Sequence, residues 1–280
     1  MSLMIDLPAW LERFRPDDDL YADAYEGTPA ERRALLKTAI AFAFSRRRPD
    51  EDETFVRSVS GRAGFVREER SVPAAWVLAA AGEGFGSPAR LLAALVPAIL
   101  AGAGRIAVVS PVPFAPAVVT ALELSGLEDS FVIDEGRTAD LYEDLRAASP
   151  DGRVVVFPGP DGLSAEQKDV LHRAAADGMP VYRDRPCPHI LSLYSEETAR
   201  PGGPSPEEIR DRLLWLHPDA VLTDGNAPDV RAVFAPEGVR PPCTAPLAAG
   251  PGMEACWSGP SPEFFRTRTL SAFLLQENQS

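Results

Sequence analysis

Few residues of this chain have the type and spacing to do chemistry, and the first of them are glycines. Gly82, Gly84 and Gly86, followed by Ser87 and Pro88, lie between an apolar run and a helix-forming one. Ser87 reads as an N-cap and Pro88 as a first helical residue, and backbone amides at such a start can hold a phosphate or carboxylate. The run is not the dinucleotide fingerprint G-x-G-x-x-G, Glu83 repels a phosphate, and glycines after a strand also serve plain tight turns. A second strand-end turn, "FPGPDG", brings Gly159 and Asp161. If the strands before these turns are neighbours in a parallel sheet, both turns border the crevice at their carboxyl ends, the default ligand site of such folds. Asp134, Glu135 and Arg137, after "SFVI", would join the same rim.

The remaining candidates are histidines and a cysteine. Cys187 and His189, in "RPCPHIL", could act as metal ligands or as nucleophile and base, but without partners they read first as a loop leading into a buried strand. His217, in "WLHPDA", could ligate a metal; alone, it reads first as a helix-end residue favouring the negative end of the dipole. His172 sits among charged neighbours and reads as a surface residue.

These residues need elements to position them. "GTPAERRALLKTAIAFAFS" predicts a helix with Thr28 as N-cap, Pro29 first in the helix and Glu31 closing a capping box. From Val72 the pattern becomes strand and helix in alternation, with continuous apolar runs "VPAAWVLAAAG" and "RIAVV" that suit strands buried on both faces, and "RVVVF" as a later strand. Helices are expected over 88–101, 115–125 and 138–148, then after Ser164 and Gln167, and again after Ser205 and Glu208. "AVLT" and "VRAVF" read as short strands, residues 235–263 show no clear element, and "PEFFRTRTLSAFLL" reads as a last helix. Repeated βα units of this length give an α/β protein with a parallel, doubly wound, Rossmann-like sheet. The expected divisions are a helical region at 4–60, the α/β unit at 61–200 and a smaller part at 201–280, with "RPGGPSPEE" as the linker.

Composition narrows the partners. The chain has 280 residues, is 45% hydrophobic and 25% charged, and carries a net charge of -13. Such charge argues against nucleic acid and against an anionic membrane surface. No apolar run approaches the ~20 residues that span a bilayer. Met1–Leu3 ahead of Met4 reads as an appended leader, and no signal peptide follows. The three cysteines, Cys187, Cys243 and Cys256, are widely spaced, as expected of reduced thiols in a cytoplasm.

Two stretches resemble a known family. "SPARLLAALVPAILAGAGRIAVVSPVPFAPAVVTALELSGLEDSFVIDEG", within residues 71–140, is similar to the nucleotide-domain segment of histidinol dehydrogenase. Residues 233–273, "VFAPEG" through "PLAAGPGMEACWSGPSPEFFRTRTLSAF", are similar to its C-terminal segment, and "FPGPDG" stands where the family has its GPGN turn. The resemblance implies a fold shared with aldehyde dehydrogenases, zinc, and two hydride transfers to NAD. It also implies a C-terminal segment that crosses to a partner subunit, hence a homodimer; Phe264, Phe265, Leu270 and Phe273 on the apolar stripe of the last helix suit that, and suit packing within the chain equally.

The chemistry does not carry over residue by residue. Of the family's metal ligands only His217 survives; the Asp and second His positions fall on Pro241 and Pro246. The Glu–His acid/base pair has no counterpart, and the cofactor-contacting Tyr, Gln and Asn positions fall on Ala79, Arg137 and Gly162. The expectation is a diverged member without the zinc chemistry, keeping a crevice for a small anionic or nucleotide-like ligand, with NAD open as a cofactor and zinc not expected. The alternatives are an NAD-linked oxidoreductase rebuilt around His217, Cys187 and His189, or a non-catalytic structural or regulatory subunit.

Overall fold

The computed structural model describes residues 5–45, 55–60, 65–134, 136–195, 197, 203–223 and 229–274. Its centre is a parallel five-stranded sheet of β3 (Trp76–Ala81), β4 (Arg105–Ser110), β5 (Ser130–Val132), β6 (Gly152–Phe157) and β7 (Val181–Arg183), in the order β5-β4-β3-β6-β7. The helices α3 (Pro88–Leu100), α4 (Pro116–Ser125), α5 (Arg137–Ala148) and α6 (Ala165–Ala176) connect successive strands. All six residues of β3 and of β6 are buried, which is why Trp76–Ala81 and Val154–Phe157 read as unbroken apolar runs. Along β3, Val77, Ala79 and Ala81 pack with α3 and α4. Trp76, Leu78 and Ala80 point the other way, toward α5 and α6. Gly152 makes room for the large ring on that face, since a Cβ there would lie 2.1 Å from Trp76.

Local grammar fixes the helix ends. Ser164 and Gln167 form a reciprocal capping box at α6, and Gly126 closes α4 at φ +71°. Thr28 does something other than cap α2 (Ala30–Ser45). It follows α1 (Asp18–Gly27), where its hydroxyl donates to Ala24 O at 2.8 Å and sits 2.9 Å from the Thr120 hydroxyl. The stronger pull is the chance to tie α1 to α4 inside the core.

A second, smaller parallel sheet runs β11 (Leu247–Ala249), β10 (Val230–Phe234), β8 (His189–Ser192), β9 (Val221–Thr223), with α7 (Pro206–Leu216) joining β8 to β9. β8 lies ahead of the boundary expected at 200 yet pairs with β9 and β10, and β11 falls in a stretch that shows no pattern in sequence. Ile190, Ala232 and Phe234 of this sheet pack against Ile209 and Leu213 of α7 and against Trp257.

Two expectations are overturned in the third sheet, β1-β2-β12. Residues 55–60, expected within the helical region, form β1 (Phe55–Ser60) against β2 (Phe65–Pro73). The expected last helix is a single 3₁₀ turn, Pro262–Phe265, followed by β12 (Arg266–Leu274), antiparallel to β2 over nine residue pairs. Thr267 and Thr269 are β-branched and favour the extended backbone. Phe265 is buried, but Leu270 and Phe273 are exposed, so no helical stripe covers the core there.

Candidate functional site

The strand order reverses between β3 and β6, so the turns that follow them meet at the carboxyl edge of the sheet. There Gly82, Glu83, Gly84, Gly159, Pro160, Asp161, Gly162, Leu163 and Ser164 line a crevice of about 380 Å³. Four of the sequence candidates, Gly82, Gly84, Gly159 and Asp161, therefore come together. The reason for two of these glycines is contact between the turns themselves. A Cβ on Gly159 would lie 2.0 Å from the Glu83 carbonyl oxygen, and one on Gly82 would lie 2.7 Å from the Gly159 nitrogen. The Gly82 amide donates to Phe157 O at 2.8 Å, and the Gln167 side-chain amide donates to both Ala80 O and Phe157 O at 3.0 Å. Among the described residues, Glu83 and Asp161 are the ionisable groups of the lining, and no cation lines it.

A second set of chemically capable residues forms a closed cluster where α3 meets the end of α7 and the segment after β7. Ser87 caps α3, as expected, but its hydroxyl is buried, 2.7 Å from Leu216 O and 3.1 Å from His217 Nδ1. His217 ends α7 and is fully buried; its Nε2 faces Glu254 O at 3.4 Å and its ring lies 4.8 Å from that of Trp257. Burial, reinforced by the positive charge of Arg90, pushes its pKa down to about 3. A neutral ring cannot serve the helix dipole as a cation, so the helix-end reading of His217 is corrected in that respect.

Three charged residues the sequence reading passed over hold the cluster together. Arg90, with no side-chain exposure, donates through Nε to Asp184 at 2.7 Å and through Nη1 to Asp219 at 2.5 Å. Its Nη2 donates to Arg185 O at 2.7 Å. Burial alone would lower the Arg90 pKa, but the two carboxylates overcome it and the net direction is upward. The signal was there to read: a lone arginine in the apolar helix "PARLLAALVPAIL" is buried all round and must be paired.

The remaining candidates are scattered. Gly86 packs on Pro218, where a Cβ would come within 2.9 Å of the ring. Cys187, at φ +41°, donates its thiol to Pro160 O at 3.3 Å but does not itself line the crevice. His189 opens β8 with its Nδ1 buried and unpartnered among the described residues, and it makes no bond to Cys187. Asp134 is exposed beyond the outermost strand β5, and the Arg137 guanidinium stacks 5.0 Å from the Trp10 ring. Neither lines the crevice, so the rim expected there is not assembled; Glu135 lies outside the described residues. His172 is exposed on α6.

These residues do not fit the groups that the resemblance implies. Among the described residues no three His, Cys, Asp or Glu side chains converge as a metal-holding set. Both His217 nitrogens are turned to protein atoms. For a dinucleotide, the space left by the missing Cβ atoms of Gly82 and Gly159 is filled by the facing turn, not left open as a pyrophosphate cradle.

Fold and site together define an α/β protein of the parallel, Rossmann-like kind, with dehydrogenases as its structural neighbours. No known sequence family and no curated protein matches the chain. Among solved structures it is similar to histidinol dehydrogenase from Elizabethkingia anophelis, with a TM-score of 0.55 and 12% identity over 93% of this chain and 77% of that one. It also matches a Mycobacterium tuberculosis aldehyde dehydrogenase complexed with NAD+ (TM-score 0.36, 15% identity, 78% of this chain, 51% of that one). A succinate-semialdehyde dehydrogenase from Burkholderia pseudomallei matches comparably (TM-score 0.38, 10% identity, 78% and 50%). At 12% identity the first likeness establishes the fold alone. The chain spans about half the length of the two aldehyde dehydrogenases. Among the described residues no helix is long and apolar enough to cross a membrane.

Proposed function

We propose that this chain is a binding protein on a dehydrogenase-type fold, without zinc-dependent or NAD-dependent hydride transfer, and that its ligand is a small nucleoside-like molecule. The observation that carries this reading is the crevice where the strand order reverses, lined by Glu83 and Asp161 and, among the described residues, by no cation. Carboxylates there can accept the hydroxyl protons of a sugar, whereas a phosphate would meet two like charges. The nucleotide-like half of the original expectation is thereby favoured over a free anion.

Titration of the purified chain with adenosine, AMP and inorganic phosphate, read by heat of binding, tests it. Saturable binding is expected for adenosine, weaker binding for AMP and none for phosphate. Glu83→Gln with Asp161→Asn is expected to abolish the adenosine signal while leaving the urea midpoint unchanged. Phosphate binding as tightly as adenosine, or no nucleoside binding, would falsify the reading.

The rebuilt oxidoreductase draws its one support from Cys187, whose thiol touches the crevice turn. NADH titration followed by nicotinamide fluorescence separates the two: saturable binding favours the oxidoreductase, its absence the nucleoside reading. A chain that binds neither is left with the structural or regulatory role.

A further inference from the structure

Away from the crevice, a pocket of about 470 Å³ lies where α1, the start of α2, the turn before α4 and the end of α7 meet. It shares no lining residue with the crevice. Phe114 and Val119 give it a buried apolar wall, and Leu20 and the half-buried Trp215 form its more open side. Two charged side chains complete the lining, and they are opposite in sign: Asp23 on α1, exposed, and Arg32 on α2, half-buried. Among the described residues neither charged group has an ion-pair or hydrogen-bond partner, and they do not reach each other. Arg32 is held over the Trp215 ring, 5.2 Å from its centroid. The neighbouring Arg33, by contrast, is spent on the carbonyls of Tyr25 and Thr28.

We infer that this pocket binds a free α-amino acid with a large apolar side chain. The charges select that class. A site for an apolar acid needs only the cation, and a site for an amine only the carboxylate. Here one of each stands unpaired beside an apolar wall, so a single small molecule carrying both charges satisfies both. The α-carboxylate goes to Arg32, whose planar guanidinium takes a carboxylate through two parallel bonds and is aimed by its stacking on Trp215. The α-ammonium goes to Asp23, and the side chain packs against Phe114, Val119 and Trp215. The first turn of α4 adds to the carboxylate end: Pro116 and Ala117 line the pocket, and no side chain caps that helix. Size and lining agree, since small-molecule pockets are mostly apolar, hold a few polar groups and enclose about 300–1,000 Å³.

The experiment is calorimetric titration of the full chain with L-phenylalanine, for which saturable binding is expected. Three analogues each remove one feature: 3-phenylpropionate the ammonium, phenethylamine the carboxylate and glycine the side chain. Each is expected to bind about tenfold more weakly or worse. Asp23→Asn should weaken phenylalanine by a similar factor without weakening 3-phenylpropionate. Arg32→Gln should weaken phenylalanine and 3-phenylpropionate without weakening phenethylamine. Excess adenosine should not displace phenylalanine, which keeps this pocket apart from the crevice. Should a variant fail to fold, by far-ultraviolet circular dichroism, the analogue series on the unaltered chain decides alone. No saturable binding at millimolar phenylalanine, an analogue that binds as tightly, an affinity unmoved in either folded variant, or displacement by adenosine each overturns the inference.

Discussion

The molecule holds two polar clusters at the same edge of its central sheet, one open and one sealed, and they have exchanged roles relative to what their residue types suggest. The open crevice has the location of a ligand site but, among its lining residues, only the carboxylates of Glu83 and Asp161 as charged groups. The sealed cluster has the histidine, the arginine and two aspartates, and all of them are bonded to protein. Groups that could do chemistry have become joints between α3, the end of α7 and the segment after β7. The groups that face solvent are backbone and acid.

Three substitutions or conditions would break this contrast, beginning with the largest effect. Arg90→Met should destabilise the fold by about 3–5 kcal/mol, because it strands Asp184 and Asp219 as buried, uncompensated charges. A urea midpoint close to that of the unaltered protein would mean that the cluster is not a joint. Acid should come next. His217 keeps a pKa of about 3 when folded against an ordinary 6.5, so between those values the unfolded chain takes up a proton that the folded one refuses. Stability is then full above pH 6.5 and falls as pH drops through that window, by up to ~1.4 kcal/mol per pH unit. His217→Gln should flatten that component of the slope in urea titrations at pH 4, 5, 6 and 7; an identical slope in both proteins would show that His217 is not held neutral. Smallest is Gly159→Ala, expected to cost about 1–3 kcal/mol by forcing the two turns apart. It should also diminish nucleoside binding, and an alanine that is tolerated on both counts would mean the turns have slack.

Much of the central sheet was legible because its strands are buried on both faces, which leaves a signal within each segment. "WVLAAA" and "RVVVF" need no partner to be recognised, and Ser164–Gln167 and Ser205–Glu208 announce their helices within four residues. β12 was not legible for the opposite reason. Leu270 and Phe273 stand three apart and mimic a helical stripe, while the partner that makes them a strand is β2, near the other end of the chain. The site divides in the same way. The glycines could be located from turn grammar, but their cause, the approach of two turns, is a tertiary fact. The sealing of His217 likewise depends on Ser87, Glu254 and Trp257, none of them its neighbour in sequence.

The bonds of Arg266 have a consequence for how the chain is made. Its guanidinium donates to Ser71 Oγ at 2.7 Å, to Ser71 O at 3.2 Å and to Ala101 O at 3.0 Å, and the Ser71 contacts bridge 195 positions of sequence. During synthesis β1 and β2 leave the ribosome as a bare hairpin, a unit only marginally stable by itself in water. The strand that completes their sheet begins 195 positions after Ser71 in the sequence. Closing so long a loop is slow, so the hairpin waits, apolar side chains uncovered, until β12 has been made. A nascent chain stalled before residue 266 should therefore be the form most in need of a chaperone.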